Sequence, residues 1–243
     1  MQSMTSAARK IAEGSPVGPV PGSTGQPRAI VCDYGGVLTN PLAETYAHFS
    51  QTSGVSLREI GAALAYAVEH DGVHPMSELE VAKISEREFC DRLERALLAT
   101  SGRTLEITDF SQRWFAGRTP NKPFIDYLRT VRARGYRLAL LTNNVLEWEP
   151  LWRATIPVDE LFCLVVNSAE EGVRKPHPAI YQTTLERLGL PASDCLFVDD
   201  VEANCVAAEH AGMSYVRFET TEQAIEQIER HLATDSRLLR TTR

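Results

Sequence analysis

The stretch that most constrains this chain is Arg28-Ala-Ile-Val-Cys-Asp-Tyr-Gly-Gly-Val-Leu38. Ala29 to Cys32 is a short apolar run with β-branched residues, which predicts a strand covered on both faces. The run stops at Asp33, and Gly35 and Gly36 follow, two residues free to take backbone angles closed to others. A carboxylate at the carboxyl end of a parallel strand stands where open α/β sheets bind their ligands. Taken alone, Asp33 could equally cap a turn, so the rest of the chain has to decide.

From about residue 118 onward, helix and strand signals alternate. A helix is predicted over 123–134, with Pro123 near its start and Gly135 just past its end. A buried strand over 138–141 ends in Thr142-Asn143-Asn144, and another spans 162–166. A helix over 178–188 closes at Gly189, and a strand over 195–198 ends in Asp199-Asp200. The next helix stops at Gly212, a strand covers 214–218, and Thr220 with Gln223 caps a final helix. Such alternation means a parallel sheet joined by right-handed crossovers.

Residues 42–117 read differently, as helices without a strand. The first covers 42–50, and Ser56-Leu-Arg-Glu59 is a capping box opening a helix with Ile60, Leu64 and Val68 on one stripe. Ser85-Glu-Arg-Glu88 is a second box, leading into Phe89, Leu93, Ala96 and Leu97, and a third helix is predicted over 108–114. His70 and His74 share one helical spacing, but Gly72 and Pro75 place them in a loop. Trp114, Trp148 and Trp152 are expected to pack rather than to line a site. The expected fold is α/β: a Rossmann-like, three-layer parallel-sheet core (28–41 and 118–243) carrying an inserted all-helical unit (42–117). Residues 1–27, rich in Gly, Pro and Ser, cannot bury enough apolar surface to order themselves and are read as a flexible leader, with at most a short helix over 7–13.

Composition narrows the function. With 25 basic against 32 acidic residues and no basic block, a nucleic-acid or anionic-membrane surface is disfavoured. The basic tail of Arg237, Arg240 and Arg243 is short and reads as a solvated end. No apolar run approaches a membrane span and the start lacks the centre of a signal peptide. Five scattered cysteines without a C-x-x-C pair argue for a reducing compartment, with the cytoplasm as the default.

The polar residues fall at strand ends: Asp33, Thr142 with Asn143, and Asp199 with Asp200. Between the last two groups lies Gly172-Val-Arg-Lys175-Pro176-His-Pro178, which presents a lysine just ahead of a helix. In a parallel sheet these ends converge on one edge. Carboxylates, a hydroxyl and an ammonium together suit Mg²⁺ and a phosphate, with hard oxygens holding the metal and Thr and Lys the phosphoryl oxygens.

The order Asp33-Tyr-Gly-Gly-Val, Leu-Thr142-Asn143, Lys175-Pro176 and Val-Asp199-Asp200-x-x-x-Asn204 resembles the haloacid dehalogenase-like hydrolases over residues 28–218. The Gly-Gly-Val-Leu turn is most similar to the branch with the phosphatase domain of soluble epoxide hydrolases and sugar-phosphate phosphatases. The resemblance implies a helical cap at 42–117, a small phosphorylated metabolite as substrate, Mg²⁺ as cofactor, and a monomer or homodimer. It implies that Asp33 is the nucleophile that becomes an aspartyl-phosphate. Thr142, the Asn143 backbone and Gly36 would meet the phosphoryl group, and Lys175 would neutralise charge. Asp33, the Gly35 carbonyl and Asp200 would hold the metal, with Asp199 assisting and Asn204 orienting Lys175 or the carboxylates. One departure stands out. Most phosphatases of this family carry a second Asp, a general acid and base, where this chain has Gly35. Three outcomes follow: a leaving group that needs little protonation, a substitute acid among His70, Asp71, His74, Glu78 and Glu80, or a site that binds phosphate and hardly turns over. A scaffold protein, a phosphotransferase, or a dehalogenase or phosphonatase are the corresponding alternatives.

Overall fold

The apolar run ahead of Asp33 lies at the centre of the sheet. This computed structural model describes residues 27–233; residues 1–26 of the expected leader, with its short helix, and the arginine tail lie outside the described residues. Strands β1 (Ala29–Cys32), β2 (Arg137–Thr142), β3 (Leu164–Asn167), β4 (Cys195–Asp199) and β5 (Ser214–Arg217) form one sheet in the order β3-β2-β1-β4-β5. Every pairing is parallel, and Cys32 is in register with both Leu140 and Val198. All four residues of β1 are fully buried, as a strand covered on both faces requires.

The two-residue period of the strands sorts their side chains into two cores. Ile30, Cys32, Leu138, Leu140, Leu196 and Val198 face one side, against helices α6 (Lys122–Ala133) and α12 (Thr221–Ala233). Ala29, Val31, Ala139, Leu141 and Phe197 face the other, against α10 (Pro178–Leu188) and α11 (Glu202–His210). The result is a three-layer α/β core, in which strand order reverses between β1 and β4. That reversal opens a crevice at the carboxyl ends of the two strands.

Between β1 and α6 the chain is helical: α1 (Leu42–Ser53), α2 (Leu57–Asp71), α3 (Pro75–Leu79), α4 (Glu86–Ser101) and α5 (Phe110–Ala116). Phe110 sits among Phe49, Phe89 and Trp114 at centroid distances of 4.9, 5.1 and 5.7 Å. Trp148, from the core loop after β2, completes this aromatic cluster at 5.8 Å from both Phe110 and Phe115. The two passages of the chain between core and insert are tied together: Asn40 donates to the Gly117 carbonyl and accepts from the Thr119 N–H. Gly117 belongs at this junction, since a Cβ there would lie 2.8 Å from that of His48.

Several local expectations are corrected. The segment after Gly72 is helical, because Pro75 has its φ preset at the first position of α3 and His74 Nδ1 accepts the Met76 N–H. His70 lies within α2, stacked on Tyr66 at 5.6 Å. The second capping box is half made: Ser85 accepts from the Glu88 N–H, but the Glu88 carboxylate turns to Arg92 at 2.6 Å. Three short core helices, α7 (Glu149–Thr155), α8 (Val158–Leu161) and α9 (Ser168–Glu171), have no sequence forecast, being too short to show a period. Strand β3 starts two residues later than expected, with α8 running up to Leu161 ahead of it.

Candidate active site

Asp33 is the first residue past β1, and its N–H donates to the Val198 carbonyl at 2.9 Å, which carries the β1–β4 register one step further. Asp199 ends β4 alongside it. Lys175 arrives from the loop between α9 and α10, and its Nζ donates to Asp33 Oδ1 at 2.6 Å and to Asp199 Oδ2 at 2.7 Å. The ammonium is 1% exposed and lies 5.6 Å from the centre of the Phe197 ring. A buried cation is tolerated only when paired and hydrogen-bonded, and Lys175 has two carboxylates.

Its loop is held by a residue whose side chain carried no forecast. Asn143 Nδ2 donates to the Lys175 carbonyl at 3.0 Å, and Asn143 Oδ1 accepts the Lys175 N–H at 2.9 Å. A side-chain amide thereby pairs with one residue's backbone like a short piece of sheet. The Lys175–Pro176 peptide is cis. Asp199 is fully buried and saturated: Asn204 Nδ2 reaches both its oxygens at 3.0 and 3.1 Å, and the Val201 N–H donates to Oδ1 at 2.9 Å.

Asp200 is less buried and presses on the turn after Asp33. A Cβ at Gly36 would come within 2.3 Å of Asp200 Oδ2, and Gly36 has φ 81°, so this position is closed to any other residue twice over. Single oxygens of Asp33, Asp199 and Asp200 lie within 4.8 Å of one another. Burial drives the Asp33 carboxyl up to about 7, against the pull of Lys175 and with the push of Asp199 and Asp200. Burial and then Asp199 raise Asp200 as well. Burial alone would lower Lys175, but Asp199 and Asp33 more than reverse this, so it holds its proton firmly. Three carboxylates against one ammonium leave surplus negative charge in a hard-oxygen setting. A divalent cation fits that deficit, with Asp33 and Asp200 the available ligands because Asp199 is already spoken for.

Above the carboxylates lies a cavity of about 290 Å³. The core contributes Asp33, Gly35, Asn143, Lys175, Asp200 and Asn204; Tyr46, Met76, Glu80 and Trp114 come from the helical side, and Arg118 from the point where the chain returns to the core. Thr142, 1% exposed at the end of β2, and Gly36 do not line it. Trp114 and Trp148 pack as expected but also form part of its wall; Trp152, fully buried, packs against Tyr34.

Of the five acid–base candidates in the insert, only Glu80 reaches the cavity. His70 and Asp71 border a separate surface hollow, His74 caps α3, and Glu78 pairs with Arg92 at 2.6 Å. Burial pushes the Glu80 carboxyl up, and Arg174 opposes this. Arg174 Nε lies 2.8 Å from Glu80 Oε2, an ion pair too bent to be a hydrogen bond. Two further bonds tie this end of α3 to the core: Ser168 Oγ to the Glu80 carbonyl at 2.6 Å, and Arg174 to Ser77 Oγ at 3.0 Å. Arg118 was not singled out in the sequence, for an arginine between Gly117 and Thr119 belongs to no pattern.

The model of the haloacid dehalogenase-like hydrolase family matches residues 27–212. The glyceraldehyde 3-phosphate phosphatase of Pyrococcus abyssi is 36% identical over 91 residues, which cover 36% of this chain and 37% of that one. Bifunctional epoxide hydrolase 2 of Rattus norvegicus is 24% identical over 147 residues, 59% of this chain and 26% of the relative. These alignments thus span well under two thirds of the relatives' length. Among solved structures, a family enzyme of Bacteroides thetaiotaomicron in complex with magnesium and inorganic phosphate superposes with a TM-score of 0.62 at 21% identity, covering 79% of this chain and 94% of that one; it shares the fold.

Proposed function

Because the chain belongs to the haloacid dehalogenase-like hydrolases, we propose that it is a Mg²⁺-dependent phosphatase of a small phosphomonoester, acting through an aspartyl-phosphate on Asp33. The observation that carries this reading is the buried Asp33–Lys175–Asp199 array beside Asp200, at the strand-order reversal of the sheet. Asp33, Asp200 and the Gly35 carbonyl would hold the metal, which when bound would neutralise charge on the phosphoryl oxygens.

Asp33 attacks phosphorus with the carboxylate oxygen not bonded to Lys175, and the bond from phosphorus to the leaving oxygen breaks. Lys175 stays protonated and offsets charge on the nucleophile and the transferring group. Asp199, locked by Asn204, keeps the ammonium in place, and Asn143 keeps its loop in place; the Asn143 backbone completes the phosphoryl site, with Thr142 buried at the end of β2 outside the cavity lining. Gly36 lets Asp200 close on the turn. Glu80 takes over the acid–base work left open at Gly35. Its carboxyl, raised by burial, gives a proton to the departing oxygen, then accepts one from the water that cleaves the acyl phosphate, so phosphate leaves and both side chains are restored. The helices over 42–117 act as a cap that excludes bulk water. The five cysteines are all unpaired thiols, in keeping with the cytoplasm.

The test is phosphate release from a panel of alkyl, sugar and acyl phosphates with Mg²⁺. Asp33→Asn is expected to lower turnover by ~10³-fold or more, and rapid-quench labelling of wild type to give a phosphoenzyme that the variant lacks. Turnover untouched by Asp33→Asn sinks the mechanism.

A further inference from the structure

Two arginines line the cavity, and only one has found a carboxylate. Arg174 is paired with Glu80. Arg118 has no carboxylate within ion-pairing distance among the described residues. Its Nη1 donates to Thr39 Oγ1 at 3.1 Å and to the Asn40 carbonyl at 3.2 Å, both neutral. Among the described residues its Nε is buried without a partner, and the guanidinium's hydrogen bonds all run from Nη1. The guanidinium lies 5.7 Å from the centre of the Trp114 ring. It is thus held rigidly on one side, with donors uncommitted on the other.

The charge census of the cavity makes this position distinctive. Lys175 is paired with Asp33 and Asp199, and Arg174 with Glu80, so among the described residues lining the cavity Arg118 is the cation without a carboxylate partner. Gly35 keeps the approach to it open, since a Cβ there would start 3.5 Å from Arg118 Nη2. Any longer side chain at 35 would grow into the space in front of the guanidinium. The neighbouring wall of Tyr46, Trp114 and Trp148 is aromatic. A planar guanidinium matches a carboxylate better than any other common metabolite group, and one fixed in advance loses little freedom on pairing.

We propose that Arg118 is a receptor for a second anionic group on the substrate, a carboxylate, so that the natural substrate class is a short phosphorylated carboxylic acid whose carbon body lies against Trp114. This rests on the phosphatase reading above. Arg118 is a substrate-binding residue here. The phosphoryl group goes to the Asp33–Lys175 end of the cavity, and the carboxylate to Arg118, beside Tyr46 and Trp114.

Matched phosphates differing only in that group test the idea: phosphoglycolate against ethyl phosphate, and phospholactate against isopropyl phosphate. With the full chain and Mg²⁺, kcat/KM is expected to favour the acid of each pair by about 10–100-fold, the worth of a charge-assisted pair, mainly through KM. Arg118→Gln should erase that preference while leaving the neutral member within about 3-fold, which also certifies the fold; Arg118→Lys should fall between. Equal turnover of both members by wild type, or a loss in Arg118→Gln shared equally by both, overturns the proposal, the latter because the guanidinium would then serve the phosphoryl group. Calorimetric binding of the same pairs to Asp33→Asn with Mg²⁺ separates the two readings. Tighter binding of the acids without any hydrolysis by wild type would retire the phosphatase and keep the anion site. No difference in binding would retire the anion site whatever the turnover.

Discussion

The sheet edge and the helical insert face one cavity and treat charge in opposite ways. At the sheet edge, the ammonium and the innermost carboxylate are buried and bonded atom by atom: Lys175 has two carboxylates, and both oxygens of Asp199 have donors. On the insert side, charge is half-buried and loosely matched, with a bent Glu80–Arg174 pair and an Arg118 without a carboxylate partner among the described residues. The first arrangement fixes a reaction, because buried ions cannot drift without large cost. The second can accept a ligand, because its donors are not yet spent.

The sharpest way to break this contrast is to remove its buried cation. Lys175→Met is expected to abolish turnover (~10³-fold or more) and to cost roughly 3–5 kcal/mol of stability in urea titrations, since two carboxylates lose their buried partner. Arg92→Met, which breaks the insert's ion pairs to Glu78 and Glu88, should cost less than about 1 kcal/mol. Similar costs for the two would erase the distinction. Next in size is Glu80→Gln, expected to slow alkyl phosphate hydrolysis by about 10²-fold but p-nitrophenyl phosphate hydrolysis hardly at all, because that leaving group departs without a proton. Equal slowing of both would deny Glu80 the acid role. Gly36→Ala forces Asp200 away from the turn and should raise the Mg²⁺ concentration for half-activation by about 10–100-fold, read from activation curves.

The smallest effect is a pH dependence. The Asp33 carboxyl moves from an ordinary 3.8 up to about 7 on folding, so the folded state binds that proton more tightly than the unfolded chain. Its stabilisation is complete below about pH 4 and lost as pH rises through 7. In metal-free protein, the melting temperature of wild type relative to Asp33→Asn should therefore fall across that interval, and Mg²⁺ should abolish the trend. A difference that stays flat without metal would mean that Lys175 alone balances the cluster.

What could be read from the sequence divides along the same line. β1, β2 and β4 announce themselves as apolar runs ending in Asp33, Thr142 and Asp199, and a parallel sheet has to bring such ends together. Lys175 stands out because its loop lies between two of these strand ends, while Asn204 is named only by the family resemblance. The insert's helices are legible through capping and periodicity, but which of its polar residues face inward is not. Glu80 was one of five acid–base candidates in that segment, and only three-dimensional packing separates it from Glu78, two residues earlier. Arg118 had no signal, because its meaning depends on a glycine 83 positions away and on having only neutral hydrogen-bond partners among the described residues. The Asn143 clamp was missed because a side chain that pairs with another residue's backbone leaves no spacing rule.

The loop that delivers the ammonium also grips the insert. Arg174 holds Ser77 and Glu80 on α3 while Lys175, the next residue, holds Asp33 and Asp199. Adjacent residues cannot move independently over more than a peptide's length, so withdrawing α3 to admit a molecule pulls on the electrostatic heart of the site. The position of α3 and the placement of the ammonium are therefore coupled through a single peptide unit.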